Sequence, residues 1–593
     1  MSNPSLLRAP TPTQLSLSFC DATPRDLKRW IASLPKANLG ETARQLYQGL
    51  VELNQLITPS ENRLQLLELL RPEVYYVCKH LERHFLSQAI VLDERPRKVA
   101  NLCQALQNHL AIGYKQLVIR NAPRFSKEHA TLLTIALQRA LHSLNGPLIR
   151  ASQLYCPVPE GLWLELHQLY QIACQFQLQN SQVVDELASQ THSLSIEQTY
   201  IVALLLGCSR CNQMRQHNIA RLAEVLEPWS AQVKLQSATL ASSLFAIAPN
   251  VDAPPRYTSL YSAEQLPDLV GINPGALVDA IKEHLALPPE EQAHSRLQVP
   301  SGLSIDVLQH LAAAWGEAAE RTFQRTPGQG SLTLCIGMSA LHFYMSGQKS
   351  FSDILKCPTL DKPAHFTAQM ASSAERDAWN HAFDAQRHGS ADNMLPYEEI
   401  QYHPVDEGNE RLSDSNQDFP TYSLQIINHS PGGYCLAWPK EVPGQLQAGE
   451  LVGIQDPTSK GWSVAVVRWI RQVRSGGTQM GTELVAPHAQ PCGLRQVRSG
   501  TDQGPYLRAL LLPQISAIDI PATLLTPRLP FQEGNKVIIN TNGDETRAAL
   551  IKRLTSTGSF NQFEYRTLET PKQQPEPTAG GPEEDFDSLW KVL

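Results

Sequence analysis

The sequence lacks a strong excess of either charge. Its 593 residues include 50 Lys and Arg and 57 Asp and Glu, which gives a net charge of −7. This balance argues against a dedicated DNA or RNA binder, because such proteins usually carry a basic face. No uninterrupted apolar run is long enough to cross a bilayer. The N-terminus also lacks the charged region and apolar core of a secretory signal. We therefore expect a cytoplasmic protein with no nucleic-acid polymer as partner and no membrane span.

Paired cysteines and catalytic motifs are also missing. The eleven cysteines are scattered and odd in number, which suits reduced thiols in a cytoplasm. Cys208 and Cys211 form a close pair and His217 could be a third ligand, but a zinc site would need a second pair at useful spacing. The sequence contains no Gly-x-Ser-x-Gly elbow, phosphate-binding loop or dinucleotide motif. We predict no enzyme activity, no catalytic residue, no metal and no cofactor.

Amphipathic helices dominate what is present in the first part of the chain. A Pro/Ser/Thr-rich, flexible lead-in is expected over residues 1–19. Thr23 then offers an N-cap, Pro24 suits the first helical position, and apolar residues recur at a spacing of 3.6. Similar faces continue beyond residue 300, so we predict an all-α domain over 20–385, as one or two sub-domains. Residues 331–337 are the main exception, because apolar side chains alternate with others there, as they do in a strand.

The most informative stretch is LQIINHSPGGYCL at residues 424–436. A polar, glycine-rich segment separates two runs that alternate with period 2, which predicts strand, tight turn and strand. Gly432 and Gly433 tolerate positive φ and allow a flat ligand to approach the backbone. Asn428 and Ser430 offer an amide and a hydroxyl, which suit the edge of a nucleobase.

The pattern Asn-x-Ser-x-x-Gly resembles the second signature of the PilZ family, whose members are small β-barrels that bind the bacterial second messenger cyclic di-GMP. The resemblance covers roughly residues 420–498, and further predicted strands follow in the expected order at 449–454, 462–470 and 477–485. It implies an antiparallel β-barrel that contacts cyclic di-GMP through Asn428, Ser430, Gly432 and Gly433.

The first signature of that family is Arg-x-x-x-Arg, on an arm just before the first strand. Its guanidinium groups stack on guanine and clamp phosphate. Here the acidic linker or arm over 386–419 holds one arginine, Arg411, with Ser415 at the second position. Arg321 and Arg325 also spell the motif, but far upstream on an apparent helix. We interpret that pair as a chance match on a solvated helix face, and Arg411 as a partial substitute for the arm.

Three further arginines lie on or just after the strand predicted at 462–470. Arg468 and Arg471 point to opposite faces of a continuous strand, so these two and Arg474 cannot form one flat patch. Arg468 is the best candidate for reaching a phosphate. The alternative is a solvated strand edge whose charge discourages aggregation.

A second β-rich segment is predicted over 504–570, either as a second small barrel or as an annex packed on the first. Asn542 and Gly543 are a strong turn signal within it. The tail over 571–593 is Pro/Gln/Gly-rich and predicted to be disordered. It ends with apolar residues around Trp590 at helical spacing beside acidic ones, which fits a docking helix for a partner's groove or packing onto its own chain.

Together these features predict a multidomain α plus β protein: an N-terminal all-α domain, a PilZ-like antiparallel β-barrel and a β-rich annex. The leading hypothesis is a bacterial signalling effector that couples cyclic di-GMP to an unknown protein partner in motility, pili, biofilm or surface attachment. The helical domain or the tail would contact that partner. The alternative is a degenerate barrel that binds no nucleotide and acts as an interaction scaffold. A single arginine in an acidic arm favours the alternative, whereas the intact Asn-x-Ser-x-x-Gly favours the receptor.

Overall fold

The computed structural model describes residues 7–86, 88–188, 191–288, 290–300, 302–316, 324–356, 419–439, 442–457, 461–474, 476–497, 504–514 and 521–568. A helical region comes first and two antiparallel barrels of six strands follow, so the predicted α plus β architecture is confirmed. None of the helices in these ranges is long and apolar enough to cross a membrane.

The N-terminal region is helical, as predicted. The side chain of Thr23 accepts a hydrogen bond from the backbone N–H of Asp26 and so caps the first helix. Ser195 and Gln198 form a capping box at the start of a later one. The region contains α1 (Pro24–Ser33), α2 (Leu39–Gln55), α3 (Ser60–Leu81), α4 (Glu94–Asn121), α5 (Ala130–Gln153), α6 (Leu162–Gln175), the strands β1 (Gln182–Val184) and β2 (Ser193–Ser195), α7 (Ile196–Cys208) and α8 (Gln216–Trp229).

The lead-in expected to be flexible over 1–19 is anchored at several points, although most of its described residues are exposed. Leu7 and Leu17 are buried against the helices. The backbone N–H of Gln14 donates to the carbonyl of Gln55, and the N–H of Ile57 donates to the carbonyl of Gln14. The Pro/Ser/Thr composition did not reveal these contacts, because they depend on two apolar side chains and on a partner segment far along the chain.

A small sheet follows the helices, so the prediction of an all-α domain over 20–385 is wrong in this respect. Four short strands pair in the order β3-β6-β4-β5. They are too brief, at two to four residues each, for alternation to distinguish them from loops. The elements are β3 (Lys234–Ser237), β4 (Phe245–Ile247), β5 (Arg256–Tyr257), β6 (Val270–Asn273), α9 (Gly275–Ala286) and α10 (Ile305–Gly316).

The first barrel begins well before residue 420, which corrects the predicted boundary. Its ring is β10-β13-β12-β11-β8-β9, closed by pairing of β9 with β10, and β7 adds to β9. Between β8 and β9 the chain contains α11 (Met338–Met345), α12 (Phe351–Leu355) and the predicted linker, which except for residue 419 lies outside the described residues. The strands are β7 (Thr326–Pro327), β8 (Ser331–Ile336), β9 (Thr421–Ser430), β10 (Gly433–Trp438), β11 (Leu451–Gln455), β12 (Ser463–Gln472) and β13 (Thr478–Ala486).

The second β-rich segment is a closed barrel of its own, in the order β14-β15-β16-β19-β18-β17. Its first strand falls inside the range predicted for the first barrel, so that boundary also moves. Asn542 and Gly543 both have positive φ, at 55° and 94°, and form the predicted turn between β17 and β18. The strands are β14 (Gln490–Gln496), β15 (Leu507–Leu512), β16 (Thr523–Pro527), β17 (Lys536–Thr541), β18 (Asp544–Ser556) and β19 (Phe560–Thr567). The tail over 571–593 lies outside the described residues.

The helical region contacts the end of β12 directly. The backbone N–H of Gln472 donates to the carbonyl of Tyr155 at 2.7 Å. Its side-chain amide donates to the carbonyls of Ile90 and Leu154 at 2.9 and 3.0 Å. Arg474 donates to the carbonyl of Val158. These bonds connect the helices to the strand that carries Arg468.

Candidate ligand-binding site

A cleft of about 680 Å³ opens on the first barrel beside the β9–β10 hairpin. Its volume lies within the range of about 300–1,000 Å³ that is usual for small-molecule sites. The lining combines polar side chains, backbone and one indole, contributed by Gln213, Arg325, Asn428, Ser430, Gly432, Gly433, Tyr434, Arg468, Trp469, Gly481, Thr482, Glu483 and Leu484.

The hairpin explains why its motif ends in glycine. Ser430 and Gly433 are paired across β9 and β10, so the turn contains only two residues. Gly433 has φ of 152°, and a Cβ at this position would overlap the carbonyl oxygen of Thr482 and lie 2.9 Å from its carbonyl carbon. Only a residue without a side chain allows β10 to pair with β13 at this point.

The polar side chains of the hairpin are available for a ligand. No hydrogen bond to another described residue engages the side chain of Asn428, which is half-buried at the cleft wall. The hydroxyl of Ser430 makes a long contact of 3.5 Å to the carbonyl of Gly433. Asn428 can therefore offer two donors and an acceptor, and Ser430 a hydroxyl, without breaking a strong internal bond.

Arg468 lies in the cleft, where it is paired with a carboxylate. Its Nε donates to Glu483 at 2.6 Å, and both side chains are about half exposed. A solvent-exposed pair of this kind contributes at most about 1 kcal/mol, so a stronger anion can compete for the arginine. Arg471 instead bonds Gln479 and does not line the cleft. As predicted, the neighbouring arginines do not form one patch.

Trp469 lines the cleft although it was not among the residues predicted from the sequence. The register of β12 against β13 shifts between Val467 and Trp469, and such a bulge changes the direction of side chains. Arg468 and Trp469 consequently both line the cleft, although strict alternation would place them on opposite faces. Gly481 on β13 is paired with Trp469 on β12. A Cβ at this glycine would be 2.7 Å from Cδ1 of the indole. This strand glycine is the signal that could have indicated a large side chain packed across it.

Arg325 corrects the interpretation of the upstream Arg-x-x-x-Arg. Arg325 is not helical and directly precedes β7, which pairs with Asn428 and His429 of β9. Arg325 is exposed and lines the cleft, so the predicted placement of this residue on a helix face is wrong. Because β9 starts at Thr421, far along the chain, the sequence did not show that the barrel begins at β7 and β8. Arg321 and Arg411 lie outside the described residues.

The cysteine pair considered for zinc shows no further ligands. Among the described residues there is no group of three or more His, Cys, Asp or Glu that could hold a metal ion. Cys208 and Cys211 are buried, and burial raises the pKa of Cys211 to about 12. In the absence of a metal ion, a thiol in this environment stays protonated near neutral pH.

Comparisons with known proteins agree with this division of the chain. Residues 25–240 match the family model described as "Cyclic-di-GMP receptor FimW, N-terminal domain", residues 244–491 match the middle PilZ domain, and residues 492–568 match the FimW C-terminal β-barrel domain. The chain is 61% identical over 605 residues to the protein named "Cyclic-di-GMP receptor FimW" of Pseudomonas aeruginosa, covering 99% of this chain and 98% of that protein. No solved structure matches. The descriptions name a receptor and no catalytic family. The chain belongs to the FimW family, with a PilZ domain between an N-terminal domain and a C-terminal β-barrel.

Proposed function

We propose that this chain is a cytoplasmic receptor for cyclic di-GMP and acts as an effector without enzymatic activity. The observation that carries the proposal is that the Asn-x-Ser-x-x-Gly hairpin and Arg325 face one cleft of suitable volume. The name of the Pseudomonas relative supports it. All ten cysteines that the structure describes are unpaired, which is consistent with a reducing compartment.

Each group in the cleft has a chemical part in this proposal. Trp469 offers a flat face for a guanine, and stacking of a base on an aromatic side chain contributes about 1–3 kcal/mol. Asn428 and Ser430 hydrogen-bond the base edge and the sugar-phosphate backbone. Arg325 and Arg468 bind the phosphates, for which a guanidinium is well suited. Arg321 is four residues before Arg325, as in the family motif, but the proposal rests on Arg325.

The alternative, a degenerate barrel acting as a scaffold, retains one observation in its favour. Glu483 places a carboxylate in the cleft, where it pairs with Arg468 and opposes an anionic ligand. The earlier reason for this alternative was the single arginine in an acidic arm. Arg325 weakens that reason, because it brings a second arginine to the cleft from outside the predicted arm at 386–419.

Isothermal titration calorimetry on the full chain tests the receptor. We expect saturable binding of cyclic di-GMP in the wild type and at least a tenfold loss of affinity in Arg325→Ala and Ser430→Ala. Arg29→Ala is the charge-matched control, because this exposed arginine pairs with Asp26 on α1 and does not line the cleft, and it should bind as the wild type does. A folded wild-type chain that releases no heat at high ligand concentration would refute the receptor and favour the scaffold.

We further infer that ligand binding is transmitted to a protein partner in motility, pili or surface attachment. The helical region and the acidic, aromatic tail are the surfaces offered for this contact. Affinity purification of the full chain with and without cyclic di-GMP, with Trp590→Ala alongside, tests the inference. A set of captured proteins that does not respond to the ligand would contradict it.

A further inference from the structure

One residue of the cleft does not belong to the barrel. Gln213 comes from the helical region, at the end of a short 3₁₀ turn (Cys211–Gln213) between α7 and α8, and it lines the same cleft as Asn428 and Ser430. Its side chain is exposed, and no described residue forms a hydrogen bond with its amide. The helical region therefore presents an unoccupied donor and acceptor group to the site.

The backbone around Gln213 is held firmly. Cys211 and Met214 on either side are buried, and the hydroxyl of Tyr155 donates to the carbonyl of Met214 at 2.7 Å. The N–H of Gln213 itself donates to the carbonyl of Arg210. Because this backbone is already ordered, a ligand contact here requires the ordering of the side chain alone.

We propose that Gln213 contacts the bound nucleotide, so that the ligand bridges the helical region and the first barrel. The inference rests on the proposed function, since it names a further contact of that ligand. A glutamine amide offers two donors and an acceptor, which match either the edge of a guanine or a phosphate oxygen. The PilZ hairpin then supplies one side of the site and the N-terminal domain supplies the other.

Two residues further on, Arg215 joins all three parts of the molecule. Its Nε donates to the carbonyl of Ala448 in the first barrel at 3.1 Å, and its guanidinium is 3.7 Å from the carboxylate of Glu450. It also donates to the hydroxyl of Ser559, in the turn between β18 and β19 of the second barrel. A Cβ on the neighbouring Gly558 would overlap the guanidinium. The side chains of Arg215 and Glu450 are largely buried where these three parts meet.

Gln213 and Arg468 also line a second cavity, of about 230 Å³, whose wall includes Arg215 and Gly558. Gln213 and Arg468 therefore separate the ligand cleft from the contacts of Arg215 with the two barrels. A ligand changes an equilibrium between domain arrangements only if it binds one arrangement better than another. A contact to Gln213 provides that difference, because it exists only while the helical region lies against the barrel.

Paired variants in the same turn test the contact. We expect Gln213→Ala to lower the affinity for cyclic di-GMP about tenfold, the loss of one to two ligand hydrogen bonds. Asn212→Ala is the matched control, since Asn212 lines a different cavity, and its affinity should change less than twofold. Gln213→Asn retains the amide and should recover part of the loss.

Hydrogen exchange on the full chain separates a ligand contact from a structural role. In the wild type, cyclic di-GMP should slow amide exchange both at the β9–β10 hairpin and at residues 211–215. In Gln213→Ala at saturating ligand, cyclic di-GMP should still slow exchange at the hairpin. It should no longer slow exchange at residues 211–215. Wild-type affinity and full protection of the turn in Gln213→Ala would overturn this inference and leave the receptor intact. Absence of binding by the wild type would overturn the receptor and this inference with it.

Discussion

Replacing Gly433 by alanine should open the cleft at the point where β10 meets β13. The new Cβ would overlap the carbonyl oxygen of Thr482 and lie 2.9 Å from its carbonyl carbon. Carbon atoms in contact prefer a separation of about 3.5 Å, so the carbonyl carbon alone requires β10 to move by roughly 0.6 Å. The overlapped carbonyl oxygen is nearer still and requires a larger movement. The atoms in the way belong to the backbone of Thr482 on β13. Because this strand is paired on both sides, they cannot rotate away as a side chain does.

The cost of this change has two parts. A residue with a side chain at φ of 152° is strained, at about 1–3 kcal/mol. Moving β10 also stretches the hydrogen bond from the N–H of Leu484 to the carbonyl of Gly432, now 2.9 Å, and its loss costs about 0.5–1.5 kcal/mol. The sum is about 1.5–4.5 kcal/mol, against a domain stability of about 5–15 kcal/mol. The barrel should therefore remain folded but lose its hairpin geometry, and with it at least tenfold in ligand affinity.

Urea unfolding followed by tryptophan fluorescence, together with calorimetric titration of cyclic di-GMP, measures both effects. Gly444→Ala is the matched control in the same barrel, because a Cβ at 444 meets nothing within 4 Å. We expect its stability to stay within about 0.5 kcal/mol of the wild type, with unchanged affinity. A Gly433→Ala chain with the unfolding midpoint and the affinity of the wild type would refute the steric explanation of the motif.

Three further predictions concern the cleft and the second barrel. Trp469→Ala should lower ligand affinity by about 1–3 kcal/mol in the same titration if a base stacks on the indole, and an unchanged affinity would exclude that role. Glu483→Gln should raise affinity about two- to fivefold, because it frees Arg468 from an exposed ion pair, and weaker binding would contradict the competition. Burial lowers the pKa of His342, whose ring contacts the carbonyl of Cys492, from 6.5 to about 4. Since the unfolded chain takes up the proton more readily, stability should be complete above about pH 6.5 and fall by up to about 3 kcal/mol towards pH 4. His342→Gln should weaken that pH dependence in urea unfolding, and an identical pH profile would count against His342 as its source.

The local sequence determined the hairpin and many of the helices. The strand–turn–strand prediction holds, with β9 ending at Ser430 and β10 beginning at Gly433. Thr23 caps the first helix, and Asn542 and Gly543 form the predicted turn. These features depend on residues a few positions apart, through caps, periodicity and φ preferences. A linear pattern contains all of that information.

Only the tertiary structure decided how the cleft is assembled. β8 alternates like any half-buried strand, but its pairing with β9 and β11 depends on residues far along the chain. Arg325 gained its place at the site from the pairing of β7 with β9, and the bulge in β12 brought Trp469 beside Arg468. Gln213 comes from a helical turn with no motif of its own. Periodicity shows which face of an element is buried, but it does not show which distant element covers that face. The places of Arg325, Trp469 and Gln213 at the cleft therefore depended on the fold.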